Sequence, residues 1–222
     1  MKTEDIKMGI KDISKSTLKR LPIYLTYLKS LNSDDTEHIS ATAIANALSM
    51  GEVQVRKDLA SISDSGKPKV GYLVTELISE LETFLGYDTI KNAIIVGTGK
   101  LGKAFLDYEG FNEYGLNIIA GFDSNKEIVG TTKLGKPIFN ISKLYEVCKK
   151  EKVKIGIIAV PAKHAQSVCD MMINSGIVAI LNYAPVHLVV PDKVLVRYEN
   201  IATSLAILAN ALKGQIEDGK IR

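Results

Sequence analysis

The sequence predicts an α/β protein: an N-terminal winged-helix domain, a Rossmann-like doubly wound parallel sheet, and a C-terminal helix in, or swapped across, a dimer interface. Three observations predict it. Residues 92–123 run strand, glycine turn, helix, strand, acid. Two short helices joined at Met50-Gly51 precede a turn-rich loop and a strand. The last helix is apolar nearly all round. The expected boundaries are 1–86, 87–200 and 201–222.

From the N-terminus, residues 1–15 are expected to form a mobile arm. Leu18, Leu21, Leu25 and Leu28 recur at helical spacing with Tyr24 beside them, giving a first amphipathic helix. Pro22 must lie near its first turn or kink it. A polar loop over 32–37 leads to Ser40, an N-cap for a short helix that turns Ile44, Ala45 and Leu48 inward. Met50-Gly51 makes a tight turn, and a third helix covers 52–62. On that helix Val55, Leu59 and Ile62 share the inner face. Val53, Lys57, Ala60 and Ser61 point outward, with Gln54 and Arg56 on the flanks. Such a face is either simply solvated or fits a major groove, where Arg and Gln reach base edges. The turn-rich loop 63–69 and a strand over 70–74 favour the second reading. They form a wing whose Lys67 and Lys69 are placed to touch phosphates. Thr75 caps a connecting helix with Leu77, Leu81 and Phe84 on one face, ending at Gly86.

The second domain opens with the apolar run Ala93 to Val96, short enough for a strand buried on both faces. Gly97-Thr98-Gly99-Lys100-Leu101-Gly102 follows, and a helix is predicted from Lys103 to Tyr108. Gly97 allows the tight turn, Gly99 lets the backbone approach a pyrophosphate, and Gly102 allows close helix–strand packing. A second strand, 117–122, ends in Asp123, 21 residues after Gly102, where a carboxylate takes ribose hydroxyls and repels a 2′-phosphate. These residues point to a nicotinamide or adenine dinucleotide site; the competing reading is a glycine-rich turn without ligand. Further strands are expected around Ile138, over 154–160 and over 178–181, with helices over 142–150 and 164–174. The strand ends at Gly97 to Gly102, Asp123, Val160-Pro161 and Asn182-Tyr183-Ala184-Pro185 should meet in one cleft. The final helix, 202–212, leaves almost no polar face and must be covered, so a homodimer is expected, with burial in its own chain the alternative.

Composition sets the bounds. With 46% hydrophobic and 24% charged residues, the 222-residue chain reads as an ordinary soluble protein of one large or two modest domains. A net charge of +3 is too small to identify a polyanion partner by itself, and residues 15–72 hold eight basic side chains against six acidic ones. Cys148 and Cys169 show no CxxC pairing and no ligand-spaced histidine. They read as reduced thiols in a cytoplasmic protein without a metal site. No signal-peptide core or membrane-length apolar run is present in the sequence.

The stretches LKRLPIYLTYLKSL, QVRKDL, VGY, GTGKLGKAFLDYEGF, AVPAKHAQSVCD, ILNYAPV, VPDKV and VRYENI together resemble the Rex family of bacterial redox-sensing transcriptional repressors. The resemblance runs from about Leu18 to Ile201. It implies a winged helix joined to a dinucleotide-binding domain, a homodimer with exchanged C-terminal helices, and binding to double-stranded operator DNA that NAD⁺ permits and NADH relieves. By position it implies that Gln54, Arg56 and Lys57 read DNA, that Gly97 to Gly102 hold the pyrophosphate and that Asp123 holds the adenosine ribose. Tyr108, Val160, Pro161, Asn182, Tyr183, Ala184 and Pro185 then lie around the nicotinamide half. Three positions depart from the family pattern. The wing reads ISDSGKPK where the family usually has aromatic and glycine residues followed by Arg-Gly. Ala202 stands where a carboxylate is usual, and Glu109 stands where a proline is usual.

Two other function classes compete. A small NAD-dependent oxidoreductase needs a proton donor beside the nicotinamide. His164, His187, Tyr108 and Tyr183 are the candidates, without an obvious activating lysine or a substrate domain. A regulator that binds another nucleotide, such as coenzyme A, and acts through protein contacts is the other. Asp123 opposes the ribose 3′-phosphate of coenzyme A.

Overall fold

A computed structural model describes residues 13–31, 36–132 and 134–217. Most of the expected N-terminal arm, and 32–35 of the polar loop, lie outside the described residues. The chain divides between Thr89 and Ile90 into two compact units, with the last helix belonging to the second.

In the first unit, α1 (Lys15–Ser30) is capped by Ser14, whose hydroxyl accepts from the Thr17 amide at 3.1 Å. Its buried stripe is Thr17, Leu21, Tyr24, Leu25 and Leu28. Leu18, expected inside, is 43% exposed: it falls at the border of that stripe and Thr17 takes the inner place. Pro22 lies within the helix, which continues through it to Ser30. Ser40 caps α2 (Ala41–Ala47) as expected, accepting from the Ala43 amide at 3.0 Å. The left-handed residue of the following turn is Ser49 (φ 54°), not Gly51, which is extended and caps α3 (Glu52–Ala60). Val55 and Leu59 of α3 are buried, and so is Asp58 between them.

The expected strand over 70–74 shrinks to β2 (Tyr72–Leu73), paired antiparallel with β1 (His38–Ile39). Val70 instead belongs to a tight hairpin in which Lys67 and Gly71 exchange both backbone hydrogen bonds at 2.9 Å. Gly71 has φ 92°, and a Cβ there would meet the Ile39 carbonyl. Thr75 does not cap α4 (Val74–Leu85). The Val74 amide already bonds to the Glu37 carbonyl, so the helix begins one residue earlier. Gly86 ends it in the left-handed conformation, as expected.

The second unit contains β3 (Lys91–Val96), α5 (Lys100–Leu106), β4 (Leu116–Asp123), β5 (Gly130–Thr131), β6 (Pro137–Asn140), α6 (Leu144–Lys150), β7 (Ile155–Ile158), α7 (Ala162–Asn174), β8 (Ala179–Asn182), β9 (Leu195–Tyr198) and α8 (Ile201–Glu217). The sheet order is β5-β6-β4-β3-β7-β8-β9. All neighbours are parallel except β5, which pairs antiparallel with β6 at the edge. The sheet reverses direction of growth between β3 and β7, the doubly wound switch point. Ile94 and Val96 pack with α6 and α7 on one face, Ala93 and Ile95 with Leu106 on the other. This is why that run carries no polar alternation.

Three element expectations are corrected. The helix after the glycines begins at Lys100 rather than Lys103, so Lys100, Leu101 and Gly102 form its first turn. It stops at Leu106, leaving Tyr108 as the cap of a short 3-10 helix, Glu109–Tyr114. β9 was not expected; it forms because β8 offers a free edge, and its own side chains are mostly exposed.

Candidate functional site

The carboxyl ends of the central strands are locked side by side. Gly97 donates to the Phe122 carbonyl and Ala159 to that of Val96, both at 2.8 Å; Tyr183 donates to Ile158 at 2.9 Å. These bonds bring the turn after β3, Asp123, Val160-Pro161 and Tyr183 to adjacent positions on one edge, as anticipated. Gly97 has φ 94°, and a Cβ there would collide with the Ala159 carbonyl oxygen. A Cβ on Gly102 would collide with the Gly97 carbonyl oxygen. Packing within the chain therefore explains both. Gly99 is different: a Cβ there meets nothing within 4 Å. Its missing side chain leaves open space directly before the start of α5, the cradle a pyrophosphate requires.

Asp123 faces this turn. One carboxylate oxygen accepts from the Thr98 amide at 2.8 Å and its hydroxyl at 3.2 Å, and the other accepts from the Asn125 amide at 3.0 Å. Thr98 is fully buried, so it orients the acid rather than meeting a ligand with its side chain. Asn182 is reassigned in the same way. Its amide donates to the Ala184 and Val186 carbonyls at 3.1 and 2.9 Å, its oxygen accepts from the Ala184 amide at 2.9 Å, and it is fully buried. It holds the 183–186 turn, in which Ala184 is buried and Pro185 exposed. Tyr108, 55% exposed, lies edge-on to Phe111 at 5.0 Å. Phe111 in turn contacts Phe105, and Phe105 contacts Tyr183 at 5.1 Å. The two tyrosines thus end one aromatic chain. Burial, then the Glu199 charge, pushes the Tyr183 hydroxyl pKa up. Beside Tyr108, one buried oxygen of Asp107 finds no hydrogen-bond partner among the described residues.

In the first unit, Gln54, Arg56 and Lys57 are exposed on α3. Arg56 is paired with Glu52 one turn earlier, while Gln54 and Lys57 line a groove beside α1. Lys67 and Lys69 sit on the exposed hairpin, with Lys69 at φ 66°. The residue that the sequence reading overlooked is Asp58. It accepts from Arg20 Nε and Nη2 at 2.7 and 2.8 Å, from Tyr24 at 2.8 Å and from Thr17 at 3.1 Å. Burial alone would raise its pKa, but the bonds from Arg20, Tyr24 and Thr17 outweigh it and hold the carboxyl below its usual range. The signal was an acid at the inward position between Val55 and Leu59, opposite Arg20 and Tyr24 one turn apart on α1.

Among the described residues, no cluster of His, Cys, Asp or Glu is suited to hold a metal ion, and no helix is long and apolar enough to cross a membrane. Cys148 and Cys169 are buried, and burial pushes both thiols to about 11.

Comparison with known proteins adds the family. Residues 88–186 match a family described as a CoA binding domain, and residues 12–60 match one described as a putative DNA-binding protein N-terminus. A redox-sensing transcriptional repressor Rex from Porphyromonas gingivalis is 40% identical, the alignment covering 90% of this chain and 92% of that one. The chain belongs to the Rex family. A second Rex, from Treponema denticola, is 41% identical over 86% of this chain and 91% of its own. Among solved structures, the protein RSP in complex with NAD⁺ and operator DNA superposes with a TM-score of 0.83 at 31% identity, covering 94% of this chain and 95% of that one. RSP in complex with NADH gives 0.82 at 30% identity, covering 96% and 100%. Where Rex chains usually carry a carboxylate, Ala202 here is exposed in the first turn of α8, and Glu109 opens the 3-10 helix after Tyr108.

Proposed function

We infer that this chain is a redox-sensing transcriptional repressor that binds operator DNA and is released by NADH. The observation that carries this reading is the pairing of Gly99, the one glycine of its turn whose lack of a side chain the fold does not require, with Asp123, held facing that turn. A dinucleotide fits such a site: the pyrophosphate lies over Gly97 to Gly102 against the α5 amides, and the adenosine ribose meets Asp123. Tyr108, Val160, Pro161, Tyr183, Ala184 and Pro185 surround the nicotinamide half, with Asn182 holding their turn. Gln54, Arg56 and Lys57 face the major groove, and Lys67 and Lys69 touch phosphates.

The protein acts as a homodimer in the cytoplasm, one α3 per half-site. Residues 201–213 are exposed throughout, including Ile201, Leu205, Ile207, Leu208 and Leu212, and a second subunit covers that apolar surface. Coenzyme A, raised by the matched family's description, would bring its 3′-phosphate toward the Asp123 carboxylate, which opposes it. NADH shifts the protein off DNA only by the difference in its affinity for the free and bound states. A gel shift on palindromic operator with saturating NADH, then NAD⁺, tests the function. NADH should release the duplex and NAD⁺ should not; equal binding with both ends the redox reading.

A further inference from the structure

We propose that Arg20 is a phosphate contact for duplex DNA, locked by Asp58 in the groove between α1 and α3. This rests on the DNA-binding reading above. The groove, about 630 Å³, is lined by Ser14, Thr17 and Arg20 from α1 and by Val53, Gln54 and Lys57 from α3. It therefore adjoins the outward face of the helix that enters the major groove, where the bordering phosphates lie.

Within it the guanidinium is half used. Nε and Nη2 grip the two Asp58 oxygens at 2.7 and 2.8 Å, and Nη2 also reaches the Thr17 hydroxyl at 3.3 Å. Among the described residues no partner is found for Nη1. Thr17 and Tyr24 donate to the same carboxylate, so both Asp58 oxygens carry two donors each and the acid, 5% exposed, has no freedom to turn. The Arg20 side chain, 17% exposed and part of the groove wall, is fixed in plane with one edge left over. A planar fork already held in place suits a phosphate oxygen, because little further rotamer freedom is lost on contact. Lys57 in the same wall adds the positive charge that Asp58 cancels from Arg20. Arg20 thus contributes to affinity on any sequence, while Gln54 and Arg56 carry the choice of sequence.

The test measures binding of operator and of a random duplex against salt for the full-length protein. Each phosphate contact contributes about 0.9 to the slope of log affinity against log salt. Arg20→Gln keeps an amide donor for Asp58 and should flatten the slope by about one. It should weaken both duplexes by the same factor, roughly five- to tenfold at about 0.1 M salt. If the single variant does not fold, Arg20→Gln/Asp58→Asn, which leaves no unpaired buried charge, is read instead with the same expectation. Tyr24→Phe disturbs the same network without touching the groove and should keep the wild-type slope. A wild-type slope in the Arg20 variants overturns the inference, and so does equal flattening by Tyr24→Phe, which would make the network purely structural. Failure of the wild type to bind any duplex would instead remove the DNA-binding reading itself.

Discussion

Two carboxylates do opposite work in this chain. Asp58 is saturated from within, whereas Asp123 is oriented by Thr98 and Asn125 at the edge of an open turn. For Asp58 the pKa is depressed in the fold, so its stabilisation is present above the ordinary value of 3.8 and is lost as pH falls through the folded value. Its partner Tyr24 is shifted the other way: burial and the bond to Asp58 push the hydroxyl from 10.0 to about 12. That contribution is complete below pH 10.0 and disappears as pH rises through about 12. Asp58→Asn should cost about 2 kcal/mol at neutral pH, the worth of charge-assisted bonds, and should blunt the loss of stability below pH 4. Urea midpoints of the two proteins between about pH 3 and 7 check this; parallel curves would show that Asp58 is not the group that titrates. At the other carboxylate, Asp123→Ala should weaken NADH about tenfold or more and narrow the gap to NADPH. Fluorescence titration decides, and equal wild-type affinities for the two dinucleotides would rule out Asp123 as the selector.

At the scale of elements, the turn from β3 into α5 separates what the fold needs from what a ligand needs. Gly99 is neither left-handed nor crowded (φ −65°), so Gly99→Ala should leave the melting temperature near wild type while weakening NADH strongly. Gly97→Ala places a Cβ against the Ala159 carbonyl at a residue with φ 94° and should destabilise by roughly 1–3 kcal/mol. Paired calorimetry and cofactor titration check both, and loss of stability in Gly99→Ala would mean that the open space serves the fold instead. The 3-10 helix after α5 carries a second consequence: it folds Phe111 back between Tyr108 and Phe105, so the exposed and half-buried tyrosines belong to one packed cluster.

Over the whole molecule, sensing requires that the nicotinamide end of the cleft bias DNA binding. NADH and NAD⁺ differ there in ring charge and planarity, which an aromatic face meets differently. Ala202 offers no charge to relay the difference. If the apolar surface of α8 carries the dimer, truncation after Glu199 should yield a monomer that no longer responds to NADH, read by light scattering together with operator binding. Tyr108→Ala should shrink the difference in operator affinity between NADH and NAD⁺. If the full difference survives, sensing lies elsewhere in the cleft.

How much of this was legible beforehand follows the range of the forces involved. The strand Ala93 to Val96, the glycine spacing, the terminal Asp123 and the Ser40 and Gly86 caps are local features. Period, capping and turn geometry act over a few residues and stand in the sequence itself. So does the apolar character of α8. The fate of Asp58 is not local, since whether an inward acid is an error or a hub depends on Arg20 and Tyr24 arriving from another helix, 38 and 34 positions away. β9 exists because β8 presents an open edge, and the strand over 70–74 shrank because Val74 found the Glu37 carbonyl and became helix. Asn182 looked like a ligand residue until its donors and its oxygen were taken up by its own turn. The sequence by itself determined the central strands, most of the helices and the glycine turn between β3 and α5. Only the tertiary structure decided which polar side chains are left free, because a buried donor or acceptor takes whatever partner the fold brings within reach.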